Sequence, residues 1–259
     1  MGKTATTTGV AVALATRGRR VLVVDTDAQA NATRLLGIDS EDTRVSLADV
    51  LRDRTPLADA VHETPFAGVS VVPANRKREL KAVEQSLWLR NRPLEALQYA
   101  LAQAPLEALF DYCLFDCGPG GDRVGKNAMR AADHVVIVTE LDALSIQGMD
   151  ALAADIHELQ EDHPSEAICQ LVGVIIAQFD ARKQIQNREN LATLLSVFGE
   201  TEALMRKGDS LIFRDRIRTD EQVRHAQKVG QTVFSTNRRS RARSDFMAVA
   251  QELEARLSQ

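Results

Sequence analysis

Aromatic side chains make up only 4% of this 259-residue chain, and cysteine is scarcer still, at three. So few rings leave little on which nucleic-acid bases could stack. Cys113, Cys117 and Cys169 are an odd number in a chain whose opening residues are polar and rich in Thr, which suits a reducing compartment and excludes a disulfide framework. Cys113 and Cys117 are too far apart for a C-x-x-C pair, and Cys113 lies in an apolar run, so it is expected to be a buried thiol and not a metal ligand. No apolar run approaches the ~20 residues that span a bilayer. The start has neither the basic segment nor the apolar stretch of a secretory signal. Repeats, low-complexity blocks and Pro/Gly/Ser linkers are missing too. The expectation is one cytoplasmic domain over residues 1–259, with 44% hydrophobic and 26% charged residues and enough chain to bury a large core.

Net charge is −4, but it is unevenly spread. Between Arg206 and Arg243 stand eleven Lys and Arg against four Asp and Glu, so the rest of the chain is strongly acidic. Arg214, Arg216, Arg218, Arg224, Lys228, Arg238, Arg239, Arg241 and Arg243 supply most of that excess. A solvated helix face and a phosphate-binding surface are both open readings of it.

Apolar, β-branched runs at 20–24, 69–72, 112–115, 134–138 and 171–176 alternate with helical patterns near 5–17, 76–89, 93–108, 145–161, 184–198 and 240–257. Continuous apolar runs fit strands buried on both faces. The alternation predicts an α/β fold with a doubly wound, mostly parallel sheet, whose ligands sit at the carboxyl ends of the strands. The last helical pattern has an apolar stripe at Phe246, Val249, Ala250, Leu253 and Leu257, spaced for core packing. A basic, bulky membrane tail would not carry Glu252 and Glu254.

The chain begins Met1-Gly2-Lys3-Thr4. Gly-Lys-Thr closes the phosphate-binding loop G-x-x-x-x-G-K-[ST], in which backbone N–H groups and a helix N-terminus wrap phosphate, Lys reaches its oxygens and Thr binds Mg²⁺. Alone, the tripeptide reads equally as a helix start. Its continuation adds weight: a helix, the basic turn at 16–20, then a strand ending in Asp25-Thr26-Asp27-Ala28-Gln29-Ala30-Asn31-Ala32-Thr33. Two acids at a strand end beside a phosphate site are placed to manage Mg²⁺ and an attacking water. They are also placed to cap the helix that follows.

At this point the chain resembles the ParA/MinD family of deviant Walker-type P-loop ATPases, and most closely its ParA partition proteins. The family pattern K-G-G-x-G-K-T-T-T, a helix, then R-V-L-x-V-D-x-D-P-Q-x-N-x-T aligns without a gap from Gly2 to Thr33. The likeness continues through 71–75, through Phe110-Asp111-Tyr112-Cys113-Leu114-Phe115-Asp116-Cys117-Gly118-Pro119, and through 127–133, 145–148 and 173–182. The resemblance implies ATP and Mg²⁺ as cofactors. Gly2, Lys3, Thr4, Ala5 and Gln178 would bind nucleotide, with Lys3 on the phosphates, and Thr4 and Asp116 would hold Mg²⁺. Asp27 would orient the hydrolytic water, sharing catalysis with Lys3. Asp116 also reads as a turn residue before Gly118. The resemblance further implies an ATP-closed homodimer, a ParB-like or other cargo adaptor, nucleoid association and no membrane partner. Nonspecific DNA would meet Arg214, Arg216, Arg218, Arg224, Lys228, Arg238, Arg239 and Arg241.

The sequence departs from the family in places. Ala5 stands for the second Thr, Ala28 for Pro and Gly118 for the first Pro of D-C-P-P. The family's first strand and K-G-G-x segment have no counterpart. The fold is therefore expected to lack that strand, the natural reading frame to start upstream, and the chain as written to bind ATP poorly. A degenerate relative that binds DNA or a partner without hydrolysis, and a MinD-like regulator, are the rival expectations.

Overall fold

The computed structural model describes residues 2–74, 79–87, 89, 92–104, 106–118, 122–162, 168–197, 211–236 and 239–258. Among the described residues six strands lie in chain order: β1 (Val21–Asp25), β2 (His62–Glu63), β3 (Val69–Val72), β4 (Tyr112–Asp116), β5 (His134–Thr139) and β6 (Gln170–Ile176). The helices before β3 are α1 (Lys3–Thr16), α2 (Asn31–Leu35) and α3 (Leu47–Asp53). Between β3 and β6 come α4 (Glu79–Leu87), α5 (Ala96–Ala102), α6 (Arg123–Ala131), α7 (Ala143–Gln147) and α8 (Met149–Asp162). After β6 follow α9 (Gln184–Val197), α10 (Glu221–Lys228), α11 (Val233–Thr236) and α12 (Arg241–Leu257).

The strand order is β2-β3-β1-β4 in one sheet and β5-β6 in another. β1 pairs in parallel with β3 and β4, β5 pairs in parallel with β6, and only β2 is antiparallel. All five residues of β1 are buried, because it has a strand on each side and helices on both faces. Val21 and Val23 enter a core with α1 and α12, whereas Leu22 and Val24 enter a second core with α3, α4, α5 and α6. Successive side chains of a strand point to opposite faces, so two helical layers on one sheet follow directly. This is the doubly wound arrangement the sequence predicts.

The strands expected to be buried on both faces differ from that expectation at β4 and β5. Among the described residues no ladder joins them. Each is paired along one edge only, most of their residues are half-buried, and Cys113 is exposed where a buried thiol was expected. The helical pattern at 145–161 is two helices meeting at Gly148, and 93–108 shortens to α5 with a 3₁₀ turn at Leu106–Ala108.

Helix α12 packs along α1, and Gly9 makes this possible: a Cβ there would lie 2.7 Å from the Phe246 ring. Phe246, Val249, Ala250 and Leu253 are all buried in this contact, as the stripe predicts. The acids that argued against a membrane tail turn inward. Glu254 accepts from Arg17 and Arg19, both at 2.6 Å, and Glu252 pairs with Arg256 while accepting from the N–H groups of Arg214 and Asp215. Arg256 is buried, stacks 4.2 Å above the Phe213 ring and donates to the carbonyls of Val172 and Ile212. The segment holding Leu211 to Thr219 is thereby fixed along the outer edge of β6, with bridges Val174 to Ile212 and Phe179 to Arg218. No described helix is long and apolar enough to cross a membrane.

Candidate functional site

The carboxyl ends of β1 and β4 lie side by side, with Asp25 opposite Asp116 in register. The N-terminus of α1 faces them. Gly2 caps that helix with φ 116, a left-handed backbone natural to glycine, and a Cβ there would come within 3.2 Å of the Ala177 Cβ just past β6. No side chain caps α1, so the first-turn N–H groups, those of Lys3, Thr4 and Ala5 among them, are open to an anion. Lys3 crosses the site and donates from Nζ to the Gly118 carbonyl oxygen at 2.9 Å. Asp27 approaches the same glycine: a Cβ on Gly118 would lie 3.4 Å from the Asp27 Cγ and 3.5 Å from the Asp122 carboxylate. The loss of Pro at position 118 thus leaves a close approach between a backbone carbonyl, a lysine and two acids.

Asp116 is fully buried, and neither carboxylate oxygen has a hydrogen-bond partner among the described residues. The hydroxyls of Thr4 and Thr7 face it without closing a hydrogen bond, as the unpartnered oxygens show. Burial pushes its pKa up to about 6; the Asp27 charge adds to the rise, and the threonines and Lys3 oppose it. An unpartnered buried carboxylate beside a threonine hydroxyl is a donor set of hard oxygens, which suits Mg²⁺. The alternative of a turn residue fails for Asp116, since a turn carboxylate would accept from nearby N–H groups.

Asp25 differs from its neighbour. It is also fully buried, and burial, then the charge of Asp116, lifts its pKa to about 7. Yet all its bonds are made: Oδ2 accepts from the Thr33 N–H at 2.8 Å and hydroxyl at 2.7 Å, and Oδ1 from the Asp27 N–H at 3.2 Å. Thr33 is the third residue of α2, so the capping role considered from sequence falls to Asp25. Asp27 closes a local turn onto the Gln29 N–H at 2.9 Å and is half-buried at the site.

Gln178 stands beyond β6 with φ 51 and donates to Glu140 at 2.5 Å. Its carbonyl accepts from the Thr219 hydroxyl at 2.8 Å, and its side-chain oxygen is 3.5 Å from the Arg224 guanidinium. Through Ala177 this strand end touches Gly2, so the structure brings Gly2, Lys3, Thr4, Ala5, Asp27 and Asp116 to one end of the sheet, with Gln178 at its border. Sequence reasoning missed Thr7, Thr33 and Glu140. Thr7 was within reach, since it lies one helical turn after Thr4 on the same face.

The basic residues are more scattered. Arg218, Arg239 and Arg241 line one cleft of about 370 Å³ together with Asp220 and Glu221. Arg218 is held by the buried Asp245 through a bidentate pair, and Arg224 pairs with Glu221 at 3.1 Å. Arg216 lies over the Phe179 ring at 4.6 Å. Arg214 and Lys228 are exposed, whereas Arg243 folds over the Phe234 ring. Arg238, and residues 75 and 119 of the matched motifs, lie outside the described residues.

Residues 1–168 match the AAA domain family. The chromosome partitioning protein ParA of Caulobacter vibrioides is 31% identical over 188 residues, 73% of this chain and 69% of that protein. A ParA family protein of Chlamydia muridarum is 30% identical over 252 residues, covering 97% and 92%. Among solved structures, apo McdA from Cyanothece superposes with a TM-score of 0.80 at 22% identity, covering 97% of this chain and 94% of that one. Cobyrinic acid a,c-diamide synthase from Mycobacterium smegmatis, solved with an ATP analogue and magnesium, gives 0.79 at 24% identity, covering 100% and 91%. At those identities the structural likeness speaks for the fold, and the sequence relatives carry the assignment. With its strand-end acids gathered at a Gly-Lys-Thr helix start and its match to ParA relatives over most of its length, the chain belongs to the ParA/MinD family of P-loop ATPases.

Proposed function

We propose that this protein is a ParA-type ATPase that positions or partitions DNA or another cargo. Two copies would close into a dimer with ATP bound, the dimer would hold DNA without regard to sequence, and hydrolysis would release it. The observation that carries the reading is the unpartnered buried carboxylate of Asp116, set beside Thr4 and within the field of Lys3 and Asp27. Burying an unpaired charge is costly, and a cation-binding role explains why one is kept there.

In this reading the α1 N-terminus and Lys3 bind the nucleotide phosphates, with Gly2 and Ala5 lending backbone N–H groups. Lys3 exchanges the Gly118 carbonyl for phosphate oxygen. Thr4 and Asp116 hold Mg²⁺, which neutralises phosphate charge when bound. Asp27 accepts from the attacking water and aligns it. Gln178 borders the nucleotide, and an adaptor of the ParB kind stimulates turnover. The basic residues near the C-terminus contact DNA phosphates. A membrane-regulator reading is disfavoured because the apolar stripe of α12 is consumed by packing on α1. Fluorescence anisotropy with unrelated DNA duplexes tests the proposal. Binding that requires ATP and ignores sequence supports it; binding that is indifferent to nucleotide, or absent, refutes it.

A further inference from the structure

Residues 26–30 carry Asp27 between β1 and α2, and one carboxylate ties the start of that loop to the first turn of the helix after it. Asp25 accepts from the Asp27 N–H at the near end and from the Thr33 N–H and hydroxyl at the far end. The Thr33 hydroxyl also accepts from the Ala74 N–H at 3.3 Å, so the loop is anchored to the chain leaving β3 as well. Asp25 and Thr33 are both fully buried. On the other side Thr26 donates its N–H and its hydroxyl to the Asp116 carbonyl, at 3.0 and 2.8 Å. Within the loop Ala30 takes φ 53, an unusual backbone for a residue with a Cβ, and donates to the Asp27 carbonyl at 2.8 Å. A non-glycine residue persists in that region only where its surroundings over-determine it.

We infer that Thr33 is a positioning residue for Asp27, acting through Asp25: its buried hydroxyl fixes the carboxylate that in turn fixes the Asp27 backbone. The inference rests on the reading of Asp27 as the residue that aligns water. A buried carboxylate is an expensive way to close a short loop, and an apolar residue at position 25 would pack at lower cost. What the carboxylate adds is a fixed distance between the two loop ends. Proximity effects are steep enough for that distance to matter, because small displacements of a catalytic group cost large factors in rate.

The test measures ATP binding by calorimetry and hydrolysis of bound ATP in a single turnover. Thr33→Val keeps the volume and removes the hydroxyl, and Thr33→Ser keeps the hydroxyl. The Val variant should bind ATP within about twofold of the parent and at the same stoichiometry, yet hydrolyse bound ATP at least about tenfold more slowly. The Ser variant should lie near the parent. A structural role alone would lower the stoichiometry and leave the rate per bound nucleotide unchanged. If circular dichroism shows the Val variant unfolded, Asp25→Asn takes its place with the same expected rate loss, since one amide oxygen cannot accept at both loop ends. Parent-like turnover in whichever of these two variants folds overturns the inference. So does a Ser variant as slow as Val. Asp27→Ala run alongside separates the causes: if it turns over like the parent, or if the parent does not turn over, the reading of Asp27 falls and the inference falls with it.

Discussion

Replacing Asp116 by Asn should stabilise the nucleotide-free protein and abolish its response to Mg²⁺. The carboxylate is fully buried and unpartnered among the described residues, and burial lifts its pKa to about 6. Against an ordinary value near 4, that rise is worth roughly 3 kcal/mol of destabilisation once the group is charged in both states. The amide of Asn carries unsatisfied groups of its own, at about 1 to 2 kcal/mol. A net gain of roughly 1 to 2 kcal/mol remains, or a Tm higher by about 2 to 8 °C for a chain of this size. The sign with pH follows from a raised folded pKa: between about 4 and 6 the folded state binds the proton that the unfolded state has lost, so the parent gains stability as pH falls. Asp25, lifted to about 7, contributes in the same direction to both proteins. The advantage of the variant should therefore be largest at about pH 7.5 and nearly gone at about pH 4.5. Scanning fluorimetry with and without Mg-ADP reads both effects. A variant less stable than the parent at neutral pH, or one that still gains Tm from Mg-ADP, would mean that Asp116 is a structural carboxylate.

Two further outcomes follow from the packing and the charges. Gly9→Ala drives a Cβ to 2.7 Å from the Phe246 ring and should cost about 1 to 3 kcal/mol in chemical denaturation, with nucleotide affinity preserved in the folded fraction; an unchanged midpoint would refute the close approach of α1 and α12. For DNA, Arg214, Lys228 and Arg241 are exposed, whereas Arg218 is engaged by Asp245, so about three phosphate contacts per protomer should give a salt slope near −2.7. Reversing Arg214 and Arg241 to Glu should flatten that slope more than Arg218→Glu does at equal folded fraction, and the opposite ranking would return Arg218 to the interface.

Five of the six described strands were legible in the sequence as mainly apolar runs, and β3 occupies the residues predicted. Such runs do not report their neighbours. Cys113 reads as core in sequence and is exposed because β4 has a ladder on one edge only. The short helices α3 and α11 escaped notice, since helices of that length are held by tertiary contacts and not by their own pattern. α6 is different: it is polar, yet Asp122 caps it in plain view by accepting from the Gly125 N–H at 2.7 Å. At the site, Lys3, Thr4, Asp27 and Asp116 were nominated by the family resemblance and lie together. The resemblance singled out Asp27 over Asp25 for the water, but the clasp that Asp25 makes depends on Thr33 and Ala74, contacts that spacing alone does not reveal. Arg218 looked free for the same reason, its partner Asp245 lying on α12, distant in sequence.

In the proposed ATP site Asp27 serves the water and not the phosphates. The most direct test is Mg²⁺-dependent ATP turnover of the protein and of Asp27→Ala, with nucleotide affinity measured by calorimetry on both. Unchanged affinity with a kcat lowered by about a hundredfold or more is the predicted result. Equal turnover in the two proteins, or a parent that binds no Mg-ATP, would contradict it.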